Sequence, residues 1–234
     1  MLPIMAPIFS EVRASPARSR SANDVAELLR RAIVSGELAP NERLVELDLA
    51  RDLATNRAVV RGALAQLEQQ RLVVREPNRG VRVRSYSAEE AAEILETRAM
   101  LEGLVAARAA RNLDARGAAS LAEILAGMRT ARDTGDLPAY SQLNLQFHRA
   151  ILEIGHHETA SMLLSVLQTQ AIRYQFRTVL EPGRISRSLG EHEAIYAALC
   201  AHDEAAAERA MHVHIRAVVD TIRAIGAALG LQAM

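Results

Sequence analysis

Apolar positions recur at helical spacing through most of the chain, with one interruption near residue 72. Val25, Leu28, Leu29 and Ile33 share one face of a first predicted helix, with Asn23 as its cap and Gly36 at its end. Leu38-Ala39-Pro40-Asn41 is a turn, and Leu44, Leu47 and Leu49 mark a short second helix over 44–53. Ala54-Thr55-Asn56 breaks it. Asn56 is suited to accept a hydrogen bond from a free amide of a third helix over 57–69, which buries Val60, Leu64 and Leu67. The period then falls to two. Leu72-Val73-Val74 and Val81-Arg82-Val83-Arg84 are predicted strands, joined through Glu76-Pro77-Asn78-Arg79-Gly80. Three short helices followed by a basic-tipped hairpin form a winged helix-turn-helix.

Beyond Ser87 no strand pattern returns. Ser87-Ala88-Glu89-Glu90 is a capping box that opens a helix to about residue 112. Further helices are predicted over 114–132, 136–154, 157–180, 185–201 and 203–229, with Glu181-Pro182-Gly183 stopping the fourth and Asp203 capping the sixth. The expected fold is mainly α, an N-terminal winged helix-turn-helix followed by a C-terminal six-helix antiparallel bundle. The expected divisions are a loose arm over 1–22, the winged helix-turn-helix over 23–85 and the helical domain over 86–234.

Composition agrees: half of the residues are hydrophobic, only 3% are aromatic and Trp is absent, so Ala and Leu must build the core. The net charge is zero, but its distribution is uneven. Residues 1–22 carry three Arg against one Glu, 23–85 carry eleven Arg against nine acids, and the remainder has fourteen Arg against eighteen. A mildly basic front end suits contact with phosphate. A single cysteine, Cys200, excludes a disulfide framework and reads as a helix core residue in a reducing compartment. The first ten residues are apolar but interrupted by Pro3 and Pro7 and lack a basic leader, so neither a signal peptide nor a span is expected and the location expected is cytoplasmic.

In a helix-turn-helix the third helix enters the major groove with its N-terminal residues against the base edges. Those residues are Asn56, Arg57, Ala58 and Arg61. Arg57 and Arg61, one turn apart, project from one face opposite Val60 and Leu64, and arginine reads guanine O6 and N7 through paired donors. Arg79 beside Gly80 at the hairpin tip could reach a phosphate or the minor groove.

The stretch Leu28-Leu29-Arg30, Ile33, Gly36-Glu37-Leu38-Ala39-Pro40, Arg43-Leu44, Glu46 and Leu49-Ala50 resembles the GntR family of bacterial regulators. Asn56-Arg57, Val60-Arg61, Ala63-Leu64, Leu67, Leu72-Val73, Pro77-Asn78-Arg79-Gly80 and Val83 continue the likeness. The resemblance implies that Arg57 and Arg61 contact bases of a palindromic double-stranded operator bound by a homodimer. The chain departs from the family pattern where Asn41 and Ala54 replace Gly, Asn56 replaces Ser, Ala58-Val59 replaces Thr-Pro and Gly62 replaces Glu.

All seven histidines lie beyond residue 146. Asn144 and His148 share a helix face one turn apart, and His192 and His214 lie on two other predicted helices, so their convergence in the bundle is possible. Buried histidines that merely satisfy one another are the alternative. Arg98, Leu101-Glu102, Asn144 with Phe147-His148, Glu191-His192, Ile195, Asp203, Ala206 and Met211 with His214 resemble the FCD ligand-binding domain of FadR-like members, in its six-helix VanR-type branch. That resemblance implies a divalent metal, such as zinc, nickel or manganese, held by Asn144, His148, His192 and His214. A metal's charge beside the neutral Asn144 suits a small carboxylate effector. Arg98 matches an arginine that the family points into this cavity and could clamp it, and Arg173 on the fourth predicted helix is a further candidate lining residue. A salt bridge between Arg98 and Glu102 is the plainer reading of that pair. The function expected is a transcription regulator, most simply a repressor, controlled by an organic acid. An enzyme would need a general base such as Glu191 or Glu193 and leaves Arg57 and Arg61 unused, and no helical His-Glu-x-x-His motif is present. A metal-free dimerisation module stays open beside the metal-dependent receptor.

Overall fold

The computed structural model describes residues 20–77 and 79–228, without the side chains of residues 169 and 171–177. Expectations for the arm before residue 20, for Asn78 and for Arg173 lie outside the described residues or side chains. The chain divides into two compact units between Tyr86 and Ser87.

The first unit opens with α1, Ala22–Ser35. Its cap is Ser21 rather than Asn23: Ser21 Oγ accepts from the Asp24 amide, and the Asp24 carboxylate accepts from the Ser21 amide at 2.9 Å. Asn23 instead accepts a hydrogen bond from Gln66 Nε2 at 2.8 Å. The reciprocal pair satisfies two free amides where a lone Asn would satisfy one, so the earlier start wins. Gly36, at φ 86°, terminates the helix.

Leu44 belongs to a strand rather than to the second helix. In β1, Arg43–Leu44, it faces Val81, and its side chain is buried in the sheet. Helix α2 then covers Glu46–Asp52 and α3 covers Arg57–Gln69, capped by Asn56 as the sequence predicts. Strands β2, Val73–Glu76, and β3, Gly80–Val83, form the hairpin; the sheet order is β1-β3-β2, antiparallel throughout. Leu29, Leu53, Val60, Leu64 and Leu67 are fully buried in the core beneath. Gly62 faces the start of α1, where an added Cβ would lie 3.2 Å from that of Ala22.

The second unit contains α4, Ala88–Asn112, α5, Ala115–Thr134, and α6, Leu137–Gly155. After these come α7, Glu158–Val179, α8, Arg184–Cys200, and α9, Glu204–Ala228. Ser87, Asp114 and Asp136 cap their helices through side-chain oxygens, and Asp203 accepts from the Ala206 amide in the same way. Helix α4 packs against α6, α7, α8 and α9. Its buried face is largely alanine (Ala88, Ala91, Ala92, Ala106, Ala109, Ala110), which fits a core so poor in aromatics. Cys200 is exposed, not a core residue: Leu199 fills the inward position and the next residue around the helix points away. No helix among the described residues is long and apolar enough to cross a membrane.

Asn41 and Ala54, which stand where the family pattern has glycine, both have left-handed backbones, with φ of 64° and 48°. Asn tolerates that region, but Ala pays a steric cost of ~1–2 kcal/mol against its own carbonyl. Replacing it by Gly also loosens the unfolded chain, a loss of ~0.4–1 kcal/mol. Relief of the steric clash outweighs that loss. Ala54→Gly is therefore expected to raise the unfolding midpoint in denaturant, by an amount equivalent to ~0.5–1 kcal/mol; a lower midpoint would contradict it.

Candidate functional site

Two sets of side chains stand out, one on each unit. On the first, Asn56 Oδ1 accepts from the Val59 amide at 3.0 Å and so fixes where α3 begins. Arg57, Ala58 and Arg61 are exposed on one side of α3, while Val60 and Leu64 are fully buried on the other. Arg79 is exposed in the hairpin turn, its amide bonded to the Glu76 carbonyl at 3.1 Å, and Gly80 beside it has φ of 86°. The two α3 arginines are not free in solvent: the Glu46 carboxylate at the start of α2 pairs with both, at 3.0 Å from Arg61 and 3.5 Å from Arg57. The hydrogen bond from Arg61 holds the Glu46 carboxyl below the ordinary range.

The second set lies inside the bundle. His148 from α6, His192 from α8 and His214 from α9 each offer a ring nitrogen, all within 4.8 Å of one another. Their other nitrogens are engaged. His148 Nδ1 meets Glu102 Oε2 at 2.8 Å, His214 Nδ1 meets Glu191 Oε2 at 2.7 Å, and His192 Nδ1 meets the Ser188 carbonyl at 2.6 Å. Carboxylates and a carbonyl can only accept here, so each Nδ1 carries a proton and each Nε2 of a neutral ring presents a lone pair. His192 Nε2 and His148 Nε2 face each other at 3.4 Å. Two lone pairs at that distance repel unless a proton or a cation lies between them. Burial, aided by the neighbouring imidazoles, pushes His192 and His214 well below the ordinary histidine range, so a proton on the free nitrogen of either of those two is disfavoured. Phe147 fills the space behind, its ring edge-on to His192 at 5.0 Å.

A further layer supports the carboxylates. Arg98 Nε and Nη2 both donate to Glu102 Oε1, at 2.9 and 2.5 Å. Arg184 donates from Nη1 and Nη2 to the two oxygens of Glu191, at 3.2 and 2.9 Å. Burial alone would raise the Glu102 carboxyl, but Arg98 and His148 outweigh it and hold it far below the usual range. At Glu191 burial wins over Arg184 and the shift is upward.

Arg98 and Arg184 are each only 3% exposed. The Arg98 fork expected to clamp a carboxylate is thus occupied by Glu102, in keeping with a plain salt bridge; Nη1 is buried with no partner among the described residues. Asn144 lines a small pocket with His148, His214 and Arg184. A larger cavity of about 470 Å³ adjoins His148, bounded by Arg98, Glu102, Gln146, Leu152, Leu164 and Gln168. Sequence reasoning missed Arg184 altogether and the supporting roles of Glu102 and Glu191. The i, i+4 spacing of Arg98 and Glu102 was a visible signal; the partnership of Glu191 with a residue on another helix was not.

A winged helix-turn-helix with arginines on the outer face of its third helix, followed in the chain by a separate all-helical unit, is the build of a DNA-binding transcription regulator. Residues 21–83 match the bacterial regulatory proteins of the gntR family, and residues 93–217 match the FCD domain. The chain belongs to the GntR family, in the group that carries an FCD domain, and it is a regulator rather than an enzyme. It is 30% identical to the HTH-type transcriptional repressor GlaR of Escherichia coli K12 over 204 residues, covering 83% of this chain and 92% of that protein. A solved GntR regulator of Rhodococcus sp. RHA1 superposes with a TM-score of 0.67 at 25% identity, covering 87% of this chain and 97% of that one. Escherichia coli McbR/YncC shares the fold with a TM-score of 0.72 at 21% identity, covering 89% of this chain and 99% of its own.

Removing one member of a buried ion pair strands its partner's charge, at a cost of ~3–5 kcal/mol, whereas exchanging both for apolar groups of similar size costs far less. Glu102→Ala is expected to destabilise the C-terminal unit by about that amount in urea unfolding. The double exchange Arg98→Met with Glu102→Leu should recover part of the loss, the remainder being the His148 Nδ1 left without its acceptor; no recovery would mean that the pair is not a unit.

Proposed function

We propose that the chain is a homodimeric repressor that reads a palindromic operator through Arg57 and Arg61 and releases it when a small carboxylate binds beside a divalent metal in the bundle. Half-sites about one helical turn apart follow from two-fold symmetry. Asn56 sets the start of the reading helix and Ala58 lies on the face that meets the groove, while Arg79 serves a phosphate or the minor groove.

The observation that carries the receptor reading is three ring nitrogens within 4.8 Å of one another, with the Nδ1 atom of each ring bonded to a carboxylate or carbonyl oxygen. Metal-binding histidines characteristically donate their second nitrogen to a carboxylate or carbonyl, which fixes the tautomer and raises basicity. The 3.4 Å separation of two of the nitrogens also suits ligands sharing one ion at about 2.0–2.1 Å each. The donor set fits. His148, His192 and His214, with Asn144 as a fourth ligand, would hold zinc, nickel or manganese. When bound, such an ion supplies a positive centre with open positions for a carboxylate. The adjoining cavity provides room for the rest of the effector, and Arg98 lines it. Coupling of only ~2.7 kcal/mol between effector and operator gives about a hundredfold change in affinity.

Metal analysis of purified protein, followed by calorimetric titration of the chelated protein, is expected to find one site per chain, lost in His148→Ala and His192→Ala. Glu191→Gln should weaken it about 10- to 100-fold. Negligible binding by the unaltered chain would remove the metal and leave the bundle as a dimerisation module. On the DNA side, Arg57→Ala should cost ~1–3 kcal/mol on an operator and relax preference at one base pair. His214→Ala should leave DNA binding intact while blunting release by effector; loss of DNA binding with the fold preserved would contradict this division of labour.

A further inference from the structure

Glu46 is the acidic residue that touches both arginines of the proposed reading helix. Its side chain is 18% exposed, against 61% for each arginine, so the carboxylate sits behind them and they project past it. Arg61 donates from Nε to Oε1 at 3.2 Å and from Nη2 to Oε2 at 3.0 Å. Arg57 Nη2 lies 3.5 Å from the same Oε2. This arrangement uses the lateral edge of the Arg61 guanidinium, one hydrogen from Nε and one from Nη2. The end-on edge, formed by Nη1 and the second hydrogen of Nη2, stays available. That edge can meet the paired acceptors of guanine, O6 and N7.

Charge argues in the opposite direction. A carboxylate on a DNA-facing surface repels phosphate and lowers affinity for any duplex. Its retention between the two reading cations is unfavourable for binding in general. It is favourable for selectivity, because a side chain already held in its reading orientation loses less freedom at the right base and adapts less readily to the wrong one.

We propose that Glu46 is a positioning residue for base recognition: it fixes the guanidinium of Arg61, and steers that of Arg57, so that their free edges face the bases, lowering affinity for DNA in general while sharpening discrimination between sequences. The inference rests on the reading that Arg57 and Arg61 contact bases.

The test uses the full-length chain and a duplex that the unaltered protein selects from a random-sequence pool. Binding is measured by fluorescence anisotropy at fixed salt to that duplex, to versions with each G·C pair exchanged in turn, and to an unrelated duplex. Glu46→Gln is expected to bind the unrelated duplex at least as tightly as the unaltered chain, yet to lose about tenfold in discrimination at one or two G·C pairs. Glu46→Asp keeps the charge but shortens the reach, so it should lose discrimination without gaining general affinity. In an Arg61→Ala background, Glu46→Gln should change discrimination at the Arg61 pair no further. Equal weakening on every duplex, or unchanged discrimination in Glu46→Gln while Arg61→Ala loses it, overturns the role of Glu46 alone. Unchanged discrimination in both Arg57→Ala and Arg61→Ala overturns the base-contact reading and this inference with it.

Discussion

The helical unit depends on gathering three imidazoles with the Nδ1 atom of each tied to an acceptor. A buried imidazole that loses its Nδ1 partner must either turn or take up water, and both options disperse the Nε2 lone pairs. The bundle prevents this with acceptors on two of its helices: Glu102 from α4, and Glu191 and the Ser188 carbonyl from α8. Carboxylates in so apolar a setting cannot stand alone, so each is met by a guanidinium, Arg98 or Arg184. The chain of dependence runs from arginine to glutamate to histidine, twice over. Alanine on the inner face of α4 leaves room for it, since larger side chains would hold the helices further apart.

The same device recurs on the DNA-binding unit in an exposed setting. Glu46 stands behind Arg61 as Glu102 stands behind His148, an acidic group orienting a polar group toward something outside itself. The settings differ in energy. Inside the bundle the pairing is close to obligatory, because an unpartnered charge there is costly. On the surface of α3 an ion pair contributes little to stability, so its value is orientation. Cap residues anchor both constructions: Asn56 fixes the first turn of α3, and Ser87 with Glu90 fixes the first turn of α4.

Most of the secondary structure was legible because its causes are local. The caps at Asn56, Ser87, Asp114 and Asp136 act over three residues, and the buried faces follow from a period of 3.6. Where sequence and structure part, a distant partner decides. Leu44 looks like a helix residue until Val81 pairs with it, and Asn23 looks like a cap until Gln66 engages it. Cys200 follows an apolar run, yet the run ends at Leu199. The identity of the histidines as a group was suggested by their confinement to the second half of the chain and by family likeness, not by spacing alone.

By itself, then, the sequence determined most of each helix, the hairpin and the arginine face of α3, because each is set by neighbours within a turn or two. Only the tertiary structure decided that His148, His192 and His214 meet, that Glu102 stands behind His148, and that Glu191, backed by Arg184, stands behind His214. Those contacts join helices separated by long stretches of chain. Their geometry depends on how closely whole helices approach one another, a quantity that the packed core fixes and that no short window of residues contains.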